Sequence, residues 1–224
     1  MPIRLTPLPY SYQALSPYIS STDIKTQRDF HRRYLAKLDH LLHDTPYRGS
    51  SLHQLVDLYA HPVASDANAT AIFYNAAQAW NFAFQWQSLR PAAQRSAPPQ
   101  PLAAQIERAF TSQDGFAQAF KAMAVRHFGR GWAWLVADRG GLRIMMTSNA
   151  NTPTDAGVTP LLAIAIWEHA YNLEDQRRRA DYVSGIVDNL LDWDFANRNF
   201  ERANKDMAGR AGTTSGHAYA WVRA

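Results

Sequence analysis

The residues with chemistry to offer sit in a few short stretches. Leu161–Tyr171 opens as an apolar run of strand type, then switches abruptly to Trp167-Glu168-His169-Ala170-Tyr171. A buried strand that hands polar groups to its C-terminal end is a common way to build a site. Here the delivery is incomplete, because Ala165 and Ile166 stand where a polar group would be wanted. Positions 27, 31, 34 and 38 share one helix face, so His31 and Tyr34 can look into one cavity. Gln78 lies on a helical stripe with Asn75, Phe82 and Trp86. Trp132 and Trp134 alternate with small neighbours and so face one side of a strand. His169, His31, Tyr34 and Gln78 are therefore the candidate catalytic groups, with His169 or His31 as general base. Trp80, Phe82, Trp132, Trp134, Ala165 and Trp167 are the candidate pocket lining. The spacings of His40, His43, His53 and His61 match no metal-ligand motif, and they read as solvated surface residues.

The elements that must position these groups follow from the patterning. The chain has 224 residues, 46% hydrophobic and 12% aromatic, which is the composition of a packed globular protein. It has no Cys, which excludes disulfides and thiolate metal sites. Met1–Leu5 has no signal-type apolar region and no run approaches a membrane span, so a soluble, cytoplasmic protein is expected, or one of an organellar matrix if a leader was removed. Net charge is +4. A long helix is predicted over Asp23–His43, a short one over Leu52–Tyr59 and a second long one over Ala67–Leu89. Lys25, Arg28, Arg32, Arg33 and Lys37 give the first helix a basic side, read as solvated or as a contact for RNA or an acidic protein partner. Arg90–Pro101 reads as a linker. Helices follow at Pro101–Phe110 and Gln113–Phe128, the latter capped by Thr111 or Ser112, with Thr111-Ser112-Gln113-Asp114 fitting a capping box. A hairpin turns at Gly140-Gly141, Leu161–Ile166 forms a third strand, and helices are expected near Ala170–Asp175, Ala180–Leu191 and Asp194–Asp206. The expected division is 1–90 helical hairpin, 91–101 linker, 102–208 α/β domain and 209–224 flexible tail.

Several of these stretches resemble the iron/manganese superoxide dismutase family. Leu8-Pro9-Tyr10-Ser11-Tyr12-Gln13-Ala14-Leu15 is similar to its opening. Asn75–Trp86 resembles Asn-Ala-Ala-Gln-x-Trp-Asn-His-x-Phe-x-Trp, Phe128–Val136 resembles Phe-Gly-Ser-Gly-Trp-Ala-Trp-Leu-Val, and Gln176–Tyr182 resembles Gln-Asn-Arg-Arg-Pro-Asp-Tyr. Ala165–Tyr171 resembles Asp-x-Trp-Glu-His-Ala-Tyr. The resemblance implies an α+β fold: an N-terminal long α-helical hairpin and a C-terminal α/β domain with a three-stranded antiparallel sheet. It also implies a redox metal held by three His and one Asp. The matching positions here carry Thr26 or Gln27, depending on register, with Phe82, Ala165 and His169. One imidazole cannot hold a divalent metal against water and competing chelators.

The expectation is therefore a pseudoenzyme with no metal, no cofactor and no dismutase activity, serving as a dimeric scaffold or binding protein. Glu168 and His169 would form the family's paired bridge across a homodimer or a heterodimer with a related chain. The alternative is an enzyme with metal-free chemistry on a small molecule in the old metal pocket, and a third reading is a dismutase with unusual ligands.

Overall fold

The structure, a computed structural model, describes residues 3–60, 68–154, 157–167 and 176–210, the backbone alone at 176–178 and 208–210. In chain order the elements are α1 (Ser21–Leu41), α2 (Leu52–Tyr59), α3 (Ala69–Ser88), α4 (Leu102–Phe110), α5 (Gln113–Arg126), β1 (Gly131–Asp138), β2 (Gly141–Ser148), β3 (Thr159–Ile166), α6 (Gln176–Asn189) and α7 (Trp193–Arg210). The fold is α+β, as expected. The first half is helical, and the second half carries an antiparallel sheet in the order β2-β1-β3. The helix expected near Ala170–Asp175 and most of the tail at 209–224 lie outside the described residues.

Helix starts follow capping chemistry. The Ser20 hydroxyl accepts from the Asp23 N–H and caps α1. Ser51 and Gln54 form a reciprocal capping box at α2. The box expected at Thr111–Asp114 does not form. Thr111 ends α4 in a left-handed conformation (φ 72°), and Ser112 alone caps α5 by accepting from Gly115 N–H at 2.9 Å.

α3 is the axis of the molecule. Its side chains from Ala76 to Phe82, and again from Phe84 to Trp86, are buried whichever way they point. α1 and α2 pack on it from one side, β3 and α7 from the other. β1 is buried on both faces, which is why Gly131–Ala137 reads as a continuous apolar run. It pairs with β2 from Gly131↔Ser148 to Asp138↔Gly141. Gly141 (φ +114°) makes the turn that an L side chain would strain. At Gly131 a Cβ would meet the Thr147 carbonyl oxygen at 2.0 Å, so only glycine lets the strands close there. The β1–β3 ladder slips between Leu135 and Val136, where Pro160, which has no N–H, enters the pairing.

Beyond β1, the other edge of β3 is covered by side chains. Ser88 Oγ accepts from Ala163 N–H at 3.0 Å, Gln85 Oε1 accepts from Ala165 N–H, and Asn199 Nδ2 donates to Leu161 C=O at 3.3 Å. An edge that would otherwise template a further strand is thereby closed.

The end of α3 is joined to the start of α7 through Arg90. Its N–H donates to Leu190 C=O at 2.8 Å, and its guanidinium pairs with Asp192 at 3.3 Å and Asp194 at 2.8 Å. The Arg90 side chain is only 18% exposed, whereas the Arg32–Asp29 pair on α1 is mostly in water. Burial decides how much each pair contributes: exposed pairs are worth little, and removing one partner of a sheltered pair strands the other. Urea denaturation is expected to show Arg90→Ala losing about 2 kcal/mol and Arg32→Ala under about 0.5 kcal/mol.

Candidate active site

From the middle of α3 onward, buried polar residues recur at Gln78, Asn81, Gln85 and Ser88, among apolar neighbours. Each is buried, so each needs a partner. Asn81 Nδ2 donates to Ala150 C=O at 3.1 Å. Ser88 Oγ donates to Phe84 C=O at 3.0 Å while accepting from β3. Gln85 is the crossing point. Its Nε2 donates to Gln27 Oε1 at 2.8 Å, and its Oε1 accepts from Ala165 N–H. One amide thus ties α1, α3 and β3 together. Of the two residues weighed on α1, Gln27 turns into the core and Thr26 does not. Gln85 was not among the sequence candidates. Its signal was the recurrence of polar residues every three or four positions along α3.

Around this amide link stands an aromatic wall. Phe82 stacks on His31 (centroids 5.7 Å), Tyr34 (6.1 Å) and Trp86 (5.9 Å), and meets Trp132 edge-on at 5.1 Å. Trp80 lies against Trp134 at 5.9 Å, and Trp134 Nε1 donates to Thr147 Oγ1 at 3.0 Å. The lining residues expected from sequence, Trp80, Phe82, Trp132, Trp134, Ala165 and Trp167, are all buried. The rings of Trp80, Phe82, Trp132 and Trp134 pack in a row, and a cavity of about 440 Å³ lies at the opposite end of the sheet.

His31 and Tyr34 do reach one place, on either side of Phe82. His31 Nδ1 accepts from Trp86 Nε1 at 3.2 Å, which puts any ring proton on Nε2. Burial first, and the Arg28 charge second, hold its pKa down at about 3. The imidazole is therefore neutral near pH 7, and the lone pair a general base would use is already engaged. Burial pushes the Tyr34 hydroxyl up, with Tyr74 and its hydrogen bond adding to the effect and Arg130 opposing it. Gln78 is fully buried, and neither its Oε1 nor its Nε2 has a hydrogen-bond partner among the described residues. Trp132 Nε1 and Gln27 Nε2 are in the same position. Glu168 and His169 lie outside the described residues.

Two assignments of charged groups need correction. Arg28 is not on a solvated basic face: it is buried, donates to Thr6 C=O at 2.7 Å and lies over the Trp86 ring at 5.9 Å. His53 is not a surface residue either. α2 packs on α3, which buries the imidazole, and its Nε2 lies 3.2 Å from Asp57 one turn on. His40 and His43 are exposed, and His61 is outside the described residues.

The donor set does not fit an iron or manganese ion. Gln27 is a neutral amide whose oxygen already accepts from Gln85, Phe82 offers a ring, and Ala165 offers a backbone N–H that points at Gln85. Among the described residues no three His, Cys, Asp or Glu side chains come together. Divalent ions of this kind require anionic or imidazole ligands in number.

Two outcomes follow from the amide link and the buried imidazole. Gln85→Leu keeps the shape but strands the Ala165 N–H and the Gln27 carboxamide, and is expected to cost about 2–5 kcal/mol in urea denaturation. For His31 the folded pKa lies below the ordinary 6.5, so the unfolded chain takes up the proton first. Stability should fall as pH drops from about 6.5 toward about 3, with about 1–2 kcal/mol of loss already between pH 6.5 and 5. Denaturation at both pH values should show that part of the slope missing in His31→Gln.

Residues 3–90 match the description "Iron/manganese superoxide dismutases, alpha-hairpin domain", and residues 98–199 match "Iron/manganese superoxide dismutases, C-terminal domain". A protein of Synechococcus elongatus named superoxide dismutase (Fe) is 42% identical over 204 residues, covering 91% of this chain and 99% of its own. A protein of the same name from Pseudoalteromonas translucida is 41% identical, covering 88% and 98%. The chloroplastic superoxide dismutase (Fe) 1 of Arabidopsis thaliana is 36% identical, covering 91% and 94%. These near-full-length relatives, which bear the names of iron dismutases, overturn the expectation of a metal-free pseudoenzyme, whether as scaffold or as repurposed enzyme. With both halves matched and the helical hairpin and antiparallel sheet in place, this chain belongs to the iron/manganese superoxide dismutase family.

Proposed function

We propose that the chain acts on superoxide as a dismutase. The reaction takes two superoxide anions and two protons to dioxygen and hydrogen peroxide, one anion giving up the electron that the other accepts. The observation that carries this reading is the 42% identity to the Synechococcus elongatus protein across almost the whole of both chains. No step is assigned to iron or manganese, because Gln27, Phe82 and Ala165 do not fit one.

The described residues can be given roles toward a small anion. Burial keeps the Tyr34 hydroxyl protonated, so it can donate a hydrogen bond to an oxygen anion. Arg130 lies close enough for its charge to act on that hydroxyl. The Phe82, Trp132 and Trp134 wall excludes water behind it, which strengthens such an interaction. No described helix is long and apolar enough to cross a membrane, and the family relatives include a chloroplastic protein.

The test is direct. The protein is expressed with iron and manganese in excess, metal per chain is measured by plasma emission, and superoxide decay is followed by pulse radiolysis. A decay faster than the spontaneous one is expected, with the metal measurement telling whether it tracks bound metal. A chain that leaves the decay at its spontaneous rate, whatever its metal content, overturns the proposal. The combined variant Gln27→His, Phe82→His, Ala165→Asp supplies two imidazoles and a carboxylate, and is expected to retain metal against a chelator longer than the parent.

A further inference from the structure

The cavity of about 440 Å³ is formed where α4, the β1–β2 turn and α7 meet. It is well separated from the aromatic wall: β1 spans about 20 Å between Trp132 and Asp138. Its volume falls within the range of sites for small molecules. Its floor is apolar, with Leu142 and Phe200 both under 10% exposed. Its rim is polar and carries two guanidinium groups, Arg108 from α4 and Arg139 from the turn. Both are exposed, and neither has a carboxylate partner among the described residues. Gln105 and Asn204 add neutral hydrogen-bonding groups to the same rim.

The acid lining this cavity is Asp138, and it is already engaged. Its Oδ2 accepts from Arg143 Nε at 2.9 Å and its Oδ1 from Gly140 N–H at 2.7 Å. The rim is therefore left with a surplus of positive charge in a fork geometry suited to a planar carboxylate. An apolar floor of this size favours a ligand with a body to lay on it.

We propose that this cavity binds a small monocarboxylate with an apolar body, its carboxylate held by Arg108 and Arg139 and its body resting on Leu142 and Phe200. The site is separate from the proposed dismutase centre and does not depend on it.

4-Fluorobenzoate is the probe, titrated into the full chain and followed by fluorine NMR at low salt. Saturable binding is expected, weakened about tenfold or more in Arg108→Gln and in Arg139→Gln, and unchanged in Arg32→Gln on α1. The neutral 4-fluorobenzamide should bind about tenfold more weakly or worse, and inorganic phosphate should not displace the probe. Both arginines are exposed, and thermal melts of the variants confirm that the fold is intact. No saturation up to about 10 mM, or equal binding by the parent and both rim variants, overturns the site. Equal competition by phosphate overturns the monocarboxylate assignment.

Discussion

A helix with no solvent-facing side must satisfy every polar group it carries, and α3 is such a helix over most of its length. An amide buried without partners costs on the order of 1–3 kcal/mol, comparable with the contribution of a large buried apolar side chain. Gln85 meets this constraint by serving two elements at once, Gln27 on α1 and the Ala165 N–H on β3. Ser88, one turn further on, does the same for Ala163. The edge of β3 is therefore closed by the helix that the sheet packs on, and the two halves of the molecule are fastened by amide and hydroxyl bonds rather than by apolar contact alone. Gln78 departs furthest from this rule, since neither of its amide atoms has a hydrogen-bond partner among the described residues.

The aromatic wall depends on that frame. Phe82 lies three residues before Gln85, so the rotation of α3 that aims Gln85 at β3 also sets Phe82 between His31 and Trp132. Stacking and the Trp86 bond fix the His31 ring, and burial keeps it neutral. A charged imidazole there would lose its hydration and face the Arg28 charge, and both hold the pKa down.

Much of this was legible from residue pattern. The Gly140-Gly141 turn fixed the hairpin, and the apolar run of Leu161–Ile166 fixed the third strand. Helical spacing brought His31 and Tyr34 to one place. What failed was the placing of single charged residues. Arg28 and His53 sit on amphipathic helices near the border between faces, and only the packing of α1 and α2 on α3 decides that they are covered. Gln85 has partners 58 and 80 residues away, a pairing that no local period encodes. The cavity at the hairpin is built from three segments that are distant in the chain, and its cations are ordinary surface arginines until the fold gathers them.

Function was harder to read because two kinds of evidence weigh different residues. Identity over 204 positions, like the two family matches, places the chain in the iron/manganese superoxide dismutase family. The metal centre implied by the resemblance rests on four positions, a small share of that length, so their identities barely move the percentage. Sequence identity is thus a sensitive measure of the frame and an insensitive one of the donors inside it. The Gln27–Gln85–Ala165 link belongs to both, since it uses Ala165 and one of the two residues weighed for the α1 ligand position to bond the frame together. Any ion seated at those positions would have to compete with a hydrogen bond already made by Gln27 Oε1. Retention of metal against a chelator, rather than further comparison of sequences, is accordingly the quantity that reads those positions directly.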